Sequence, residues 1–388
     1  MLGQVSQLGP TPCNFRYTYV LPVHLTLHRV TPGDGAPWDP ATGRGSGCPG
    51  ACSVSTKCYL PNILVEQWVL PRLQRSKNLR LFLRTVITDT TRDSATGAIT
   101  SLTAVQRTPR EGTTEWSQRL SVELPDWYAA TESASFAKKR LLLKARVFIE
   151  ATELADVLAT ANVPYGQGIE IPYENSSTYE NCGQAQTLTF YMELLAHPKA
   201  DAAPQGNDEG RAFPGSRGTA WATNLHGWYN SWTWRRSFAA ANRSVYAASV
   251  GDITQQNSGN DLDTAYVFLS IPDSKREAST GWRGGLNLSA VRMLEDVSYG
   301  WFRNMQHASA VLNESWPTRL VLNRDAPGTA HGLSKFPYFR DTRRAIGIGG
   351  FRLTHAPLRD VQGVTGTEFY DSVGACKPGR NPPTLTDF

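Results

Sequence analysis

The sequence predicts an α/β protein, and three features carry that prediction. Leu141–Leu143 and Val147–Ile149 make a short apolar run of the length of a buried strand, and Leu154, Val157, Leu158 and Ala161 follow at helical spacing. Upstream, Leu79, Leu81, Leu83, Thr85 and Ile87 alternate with other residues, the mark of a half-buried strand. Downstream, Asn287 opens an amphipathic helix.

Composition narrows the class. At 388 residues, 40% hydrophobic and 19% charged, the chain reads as globular, with room for two domains. No run approaches the roughly 18 uncharged apolar residues of a membrane span. The N-terminus lacks the basic start and apolar stretch of a signal peptide, so a cytoplasmic location is expected for the chain as written. Four sequons, at Asn175, Asn242, Asn287 and Asn313, matter only if the protein is secreted behind a signal not seen here. The net charge of +5 is spread without a basic stripe, which argues against a nucleic-acid partner. Of six cysteines, Cys48, Cys52 and Cys58 cluster, yet no CxxC occurs and no His follows at zinc-finger spacing. Buried thiols or one disulfide suit them better than a metal site.

Taken in order, residues 1–57 are loop-rich, with Gly and Pro concentrated in 33–50. Leu60–Arg75 reads as a helix with Ile63, Leu64, Gln67 and Leu70 on one side, which Pro71 should kink or end. The strand at 79–87 turns at Asp93–Gly97 and returns as Ala98–Val105. Ser117–Leu124 reads as a third short strand, and Leu141–Ile149 as a central, buried one. Thr152 is placed to cap the helix that follows, because its hydroxyl can accept an amide of the first turn. A strand feeding a helix through a polar turn is either plain scaffold or the unit on which open α/β sheets bind nucleotides.

Beyond residue 165 the composition shifts toward aromatic and polar residues. His197–Gly218 is linker-like. The stretch Trp221–Phe238 holds four of the eleven tryptophans, and reads either as aromatic strands packing a core or as a pocket wall in which Trp234 touches a ligand. Gln255, Gln256 and Asn257, with Asn260, Asp261 and Asp263, form a polar loop that is either a self-stabilised turn or a binding cluster. The helix from Asn287 carries Val291, Leu294, Trp301, Met305 and Ala308 on one face, widened by Val297 and Phe302, and Asn287 or Ser289 can cap it. Lys335–Arg344 sets Arg340, Arg343 and Arg344 beside two aromatics. The planar fork of arginine suits a carboxylate or another anion, but an ion-pair cluster around Asp341 would look the same.

The stretch 141–161 resembles the strand, written hhhhATG in its commonest form, that precedes a helix in two-dinucleotide-binding flavoproteins. It is closer to the FAD-dependent oxidoreductases, whose version reads roughly DATELGDLL. Glu150 stands for the Asp, Ala151, Thr152 and Glu153 match, and Asp156 keeps its place. Six further stretches agree in order: CSVSTKCYLP (52–61), YGQGIE (165–170), GQAQTLTF (183–190), DITQQNSGNDLD (252–263), GLNLSAVRML (285–294) and KFPYFRDTRRAIG (335–347).

The resemblance implies an α/β, Rossmann-like FAD-binding core with a β-meander, plus a second α+β substrate domain. The boundaries it suggests are 1–57 for a loop-rich segment, 58–165 for the FAD side, 166–335 for the substrate side and 336–388 for a return segment. FAD would be the cofactor, and a small organic molecule would give up a hydride to the flavin. Arg340, Arg343 and Asn257 would be the catalytic contacts to substrate or flavin. Ala151, Thr152, Glu153 and Asp156 would lie against the cofactor, and Gln256, Asp261 and Trp234 against the substrate. A flavoenzyme grips its pyrophosphate through GxGxxG at a helix start, and that motif is missing. Gly347–Arg352 is the nearest run and has the wrong spacing. The sequence therefore looks like the middle of a family member without its two FAD-binding ends, and weak FAD binding is expected. The alternative is a non-catalytic protein that holds a carbohydrate or another apolar-faced ligand on the Trp-rich segment.

Overall fold

The structure, a computed structural model, describes residues 65–66, 69–166, 186–199, 225–234, 236–238, 247–256, 261–262, 284–338 and 343–350. Within them it is a mixed α/β protein of small sheets, and every pairing between named strands is antiparallel. The β-meander is present. A parallel Rossmann sheet is not among the described residues.

The meander comprises β1 (Thr85–Arg92), β2 (Ile99–Pro109) and β3 (Phe136–Leu143), with β2 central. Asp93 makes the β1–β2 turn, its carboxylate accepting from the amides of Ala95 and Thr96 and from the Thr96 hydroxyl. Gly97, at φ +71°, supplies the left-handed residue that closes it.

Two expectations are corrected here. The strand read at Leu141–Ile149 ends at Leu143 and lies on the sheet edge. Val147 and Ile149 are 74% and 65% exposed, while Phe148 between them packs on the Ile87–Leu102–Ala104–Val157 cluster. Lys144 and Arg146 interrupt the apolar run. Past the end of β3 the chain turns Phe148 inward, which sends both its neighbours to solvent. The segment read as a strand at Ser117–Leu124 is helix α2 (Leu120–Tyr128), with Leu120, Leu124, Trp127 and Tyr128 buried at helical spacing. Pro71 sits in the first turn of α1 (Leu70–Arg75), where its missing N–H costs nothing. Residues 65–66 and 69, just before it, are in π-helical turns, and the rest of the helix read from Leu60 lies outside the described residues.

Helix α3 (Asp156–Thr160) covers one face of the meander through Val157. A hydrogen bond between the Thr90 and Thr160 hydroxyls, 2.5 Å, and one from Arg92 Nη1 to the Ala161 carbonyl, 2.9 Å, fix its seat. Helix α2 covers the other face and joins the main core.

That core is built on a second sheet, in which β6 (Phe190–Leu194) lies between β10 (Leu320–Leu322) and β8 (Ile253–Gln256), with β7 (Arg236–Phe238) outermost. Helix α4 (Leu225–Trp234) contributes Trp228 and Trp232, both fully buried and stacked with centroids 5.2 Å apart. The aromatic stretch is thus core, as one reading had it, but helical. Deleting such a side chain costs about 3–5 kcal/mol. Helix α5 (Leu288–Ala308) runs through the same core, burying Val291, Leu294, Trp301, Phe302 and Met305. Asn287 caps it as expected, accepting from the amides of Ser289 and Ala290. No described helix is long and apolar enough to cross a membrane.

Candidate functional site

Two-residue pairings bring distant family-like stretches together. β4 (Tyr165–Gly166) pairs with β11 (Arg344–Ala345), and β5 (Gln186–Thr187) with β9 (Asp261–Leu262). The amide of Tyr338 donates to the Thr187 carbonyl at 2.7 Å, which seats the stretch before β11 on β5.

Beside them lies the turn at 150–156. Its own side chains hold it: the Glu150 carboxylate accepts from the amides of Thr152 (2.5 Å) and Val157 (2.6 Å). The Thr152 hydroxyl accepts from the Asp156 amide at 2.9 Å, so Thr152 caps α3 from four residues upstream. The residue in the N-cap place is Ala155, held left-handed at φ +52°. A non-glycine residue costs roughly 1–2 kcal/mol in that conformation, and the three bonds around it offset the cost.

Asp156 is buried, and the Tyr128 hydroxyl donates to its Oδ2 at 3.4 Å. Burial, and then the Asp156 charge, push the Tyr128 phenol well above its ordinary value, so it stays protonated. Arg343 is buried too. Its Nη1 donates to the Leu154 carbonyl at 2.5 Å and, with Nη2, lies 3.4 Å from the Gly284 carbonyl. The guanidinium stands 5.8 Å from the centre of the Tyr165 ring. Arg343 is therefore anchored beside the turn at 150–156. Gly284 completes the cluster at φ +71°, and a Cβ there would meet Tyr128 Oη at 2.7 Å.

The other sequence-derived residues fall apart from this cluster or outside the description. Arg340 and Asn257 lie outside the described residues, as do the side chains of Trp234 and Asp261. Ala151 and Glu153 are exposed on the turn. Gln256 is buried in the core, donating to the Ser231 carbonyl at 3.1 Å and accepting from the Trp301 indole at 2.9 Å. Sequence reasoning missed Tyr128 and Gly284. A helical period through Leu120, Leu124 and Tyr128 was there to be read, and the Gly284-Gly285 pair announced a special backbone. Chemically, the cluster offers a neutral phenol as donor, a carboxylate as acceptor and a guanidinium that fixes two carbonyls.

A family model described as FAD dependent oxidoreductase matches residues 122–378, about two thirds of the chain. The chain belongs to this family. No curated protein and no solved structure matches it. FAD is the cofactor of the FAD-dependent oxidoreductases, and its pyrophosphate needs free amides at a helix start. The starts of three described helices do not fit it. At α3 the amides go to Glu150 and Thr152, and at α5 to Asn287. At α2, the amide and hydroxyl of Ser121 both donate to the buried Glu295 carboxylate. The glycine turn at Ile348–Gly350, with Gly349 and Gly350 at positive φ, is a 3-10 turn.

Proposed function

We propose that this chain oxidises a small organic substrate in an FAD-dependent reaction, removing a hydride, with the Arg343 cluster and the turn at 150–156 forming the flavin or substrate side of the site. One observation carries the proposal. Stretches that resemble the family and lie far apart in sequence converge, with Arg343 bonded to Leu154 and residues 344–345 paired with 165–166. Buried Asp156, Tyr128 and Arg343 lie at this convergence, and each buried ionisable group opposes folding unless it is paired. In this reading Thr152, Glu153 and Ala151 line the approach, and Arg340 and Asn257 supply further polar contacts. The Rossmann-like part and the pyrophosphate grip fall to residues other than the starts of α2, α3 and α5.

Trp228 and Trp232 are spent on the core, and no observation favours a carbohydrate-binding role for that segment. The test compares FAD, FMN and riboflavin as ligands of the full chain, by quenching of flavin fluorescence. A grip on the ring side alone gives affinities within about threefold of one another. Losing two or three charge-assisted bonds to phosphate, at roughly 1.5–3 kcal/mol each, removes the usual preference for FAD. Absence of any flavin binding would sink the functional reading. FAD binding a hundredfold or more above riboflavin would show instead that a phosphate grip exists elsewhere in the chain. Anaerobic bleaching of the flavin band by candidate alcohols, amines and hydroxy acids then identifies the substrate class.

A further inference from the structure

Strand β3 is an outer strand of the meander. Its ladder partner is β2, in register from Phe136 opposite Pro109 to Leu143 opposite Leu102. The other side of β3 therefore presents a row of backbone N–H and C=O groups that no strand among the described residues takes up. Such an edge is a template for one more strand, and proteins commonly guard it with charge.

The charge here is all of one sign. Residues 137–149 hold five cations and no Asp or Glu. Lys138 is paired, its side chain buried against Asp126. Lys139, Arg140, Lys144 and Arg146 are exposed and make no ion pair among the described residues. The acids nearest in sequence are committed elsewhere, Glu132 to Arg110 and Glu150 to the amides of Thr152 and Val157. Asp89 stands opposite Thr103, and Thr103 opposite Leu142, so Asp89 is two strands away, about 10 Å at ordinary strand spacing.

Guarding an edge does not account for the aliphatic side chains in the same stretch. Leu142 is 62% exposed, and Val147 and Ile149 are more so. Leu142 lies between the cations Lys139 and Arg140 on one side and Lys144 and Arg146 on the other. It faces away from Leu141 and Leu143, which pack on the Ile87 cluster. A second copy of the chain does not suit this edge. Pairing β3 antiparallel with itself about Leu142 sets Arg140 opposite Lys144, and like charges directly opposite oppose pairing.

We propose that the outer edge of β3, with Lys144 and Arg146 just past its end, is a docking site for an extended segment of another protein, a short aliphatic run flanked on both sides by Asp or Glu. The segment adds as a fourth strand of the meander. Its aliphatic centre lies against Leu142, and its carboxylates lie against Arg140 and Lys139 at one end and Lys144 at the other. The site is separate from the Arg343 cluster and does not rest on the flavin reading.

The experiment is fluorescence anisotropy of the full chain with a labelled, end-blocked peptide in which three valines are flanked on each side by one Asp and one Glu. Saturable binding is expected. The same peptide with proline in place of two valines keeps every charge but cannot pair, and it is expected to bind about tenfold more weakly or worse. A peptide with Lys in place of the acids is expected not to bind. With a carbon-13 carbonyl on the middle valine, the infrared amide band is expected to move on binding to the position of a paired strand. Lys144→Glu combined with Arg146→Glu changes two exposed side chains and is expected to leave the unfolding midpoint in place. It should weaken the acidic peptide about tenfold and admit the lysine peptide. No binding to the wild type overturns the proposal. Equal binding of the valine and proline peptides overturns it too, since that is charge attraction without a strand. So does co-sedimentation with vesicles of phosphatidylcholine and phosphatidylserine that the acidic peptide does not compete away, which would assign the surface to a membrane.

Discussion

Arg343 donates to the carbonyl of Leu154 across 189 positions of sequence, and the same guanidinium reaches toward the carbonyl of Gly284. One side chain thus ties the start of β11 to the turn before α3 and to the segment that leads into α5. Replacing it leaves buried carbonyls without a donor, so Arg343→Ala should destabilise the protein by about 2–4 kcal/mol in urea unfolding. Arg343→Lys should recover less than half of this, since a single ammonium cannot span both carbonyls. Hydrogen exchange at 154–161 should quicken in both variants. Unchanged exchange there would mean that the turn holds itself without Arg343.

Glu150 acts on the same turn from inside it. Its carboxylate takes the amides of Thr152 and Val157, the part an N-cap oxygen plays in an ordinary helix. Glu150→Ala should cost about 1–2 kcal/mol, and Glu150→Gln should cost less because its amide oxygen can still accept. The check is chemical denaturation of the three proteins side by side. If Gln is as damaging as Ala, the hydrogen bonds are not the source of the effect.

Much of the scaffold was legible and the site only in part, for reasons that individual residues show. Asn287 announced α5 because a side-chain cap is a local event. The Asp93–Gly97 hairpin was legible for the same reason. The run at 141–149 misled because apolar content and sheet register are different quantities. Lys144 and Arg146 separate two apolar groups, of which only the first pairs with β2. Ser117–Leu124 was misread because the window stopped before Trp127 and Tyr128, and because Pro125, which α2 accommodates, reads as a helix breaker. Arg343 could be suspected from its neighbours in sequence. Its partners, Leu154 and Gly284, are backbone carbonyls, and no pattern of side chains reveals those. The neutral state of Tyr128 depends on burial against Asp156, which only the fold creates.

His331 gives a dependence on pH with a definite sign. It is buried, its Nδ1 accepts from the Leu333 amide at 3.2 Å, and burial, then the charges of Arg119 and Arg324, hold its pKa at about 4 against 6.5 for the free side chain. Between pH 6.5 and 4 the unfolded chain therefore binds a proton that the folded chain refuses. The stabilising contribution is complete above pH 6.5 and is lost as pH falls toward 4, by at most about 1.4 kcal/mol per unit. His331→Asn offers an oxygen for the Leu333 amide and does not titrate. Its stability should fall less steeply over this window, and parallel curves for the two proteins would remove His331 from the account.

Gly284 is where the cluster leaves no room for a side chain, because Tyr128 stands against it. At φ +71° Gly284 has a conformation that a residue with a Cβ adopts at a cost, and a Cβ would stand 2.7 Å from Tyr128 Oη and 3.1 Å from Leu154 Cδ1. Gly284→Ala should therefore destabilise by about 2–4 kcal/mol, combining backbone strain with overpacking. Tyr128→Phe alone loses a long hydrogen bond of 3.4 Å to Asp156 and should cost about 1 kcal/mol or less. The two changes are not independent. Removing the hydroxyl takes away the nearest atom that the new methyl would strike, while Tyr128 Cζ and Leu154 Cδ1 stay at 3.1 Å. The alanine should thus cost about 1 kcal/mol less in the Tyr128→Phe background than in the wild type, a coupling that a double-mutant cycle measures directly. Costs that simply add would place the whole penalty in the backbone of Gly284 and leave the phenol without a part in setting that contact.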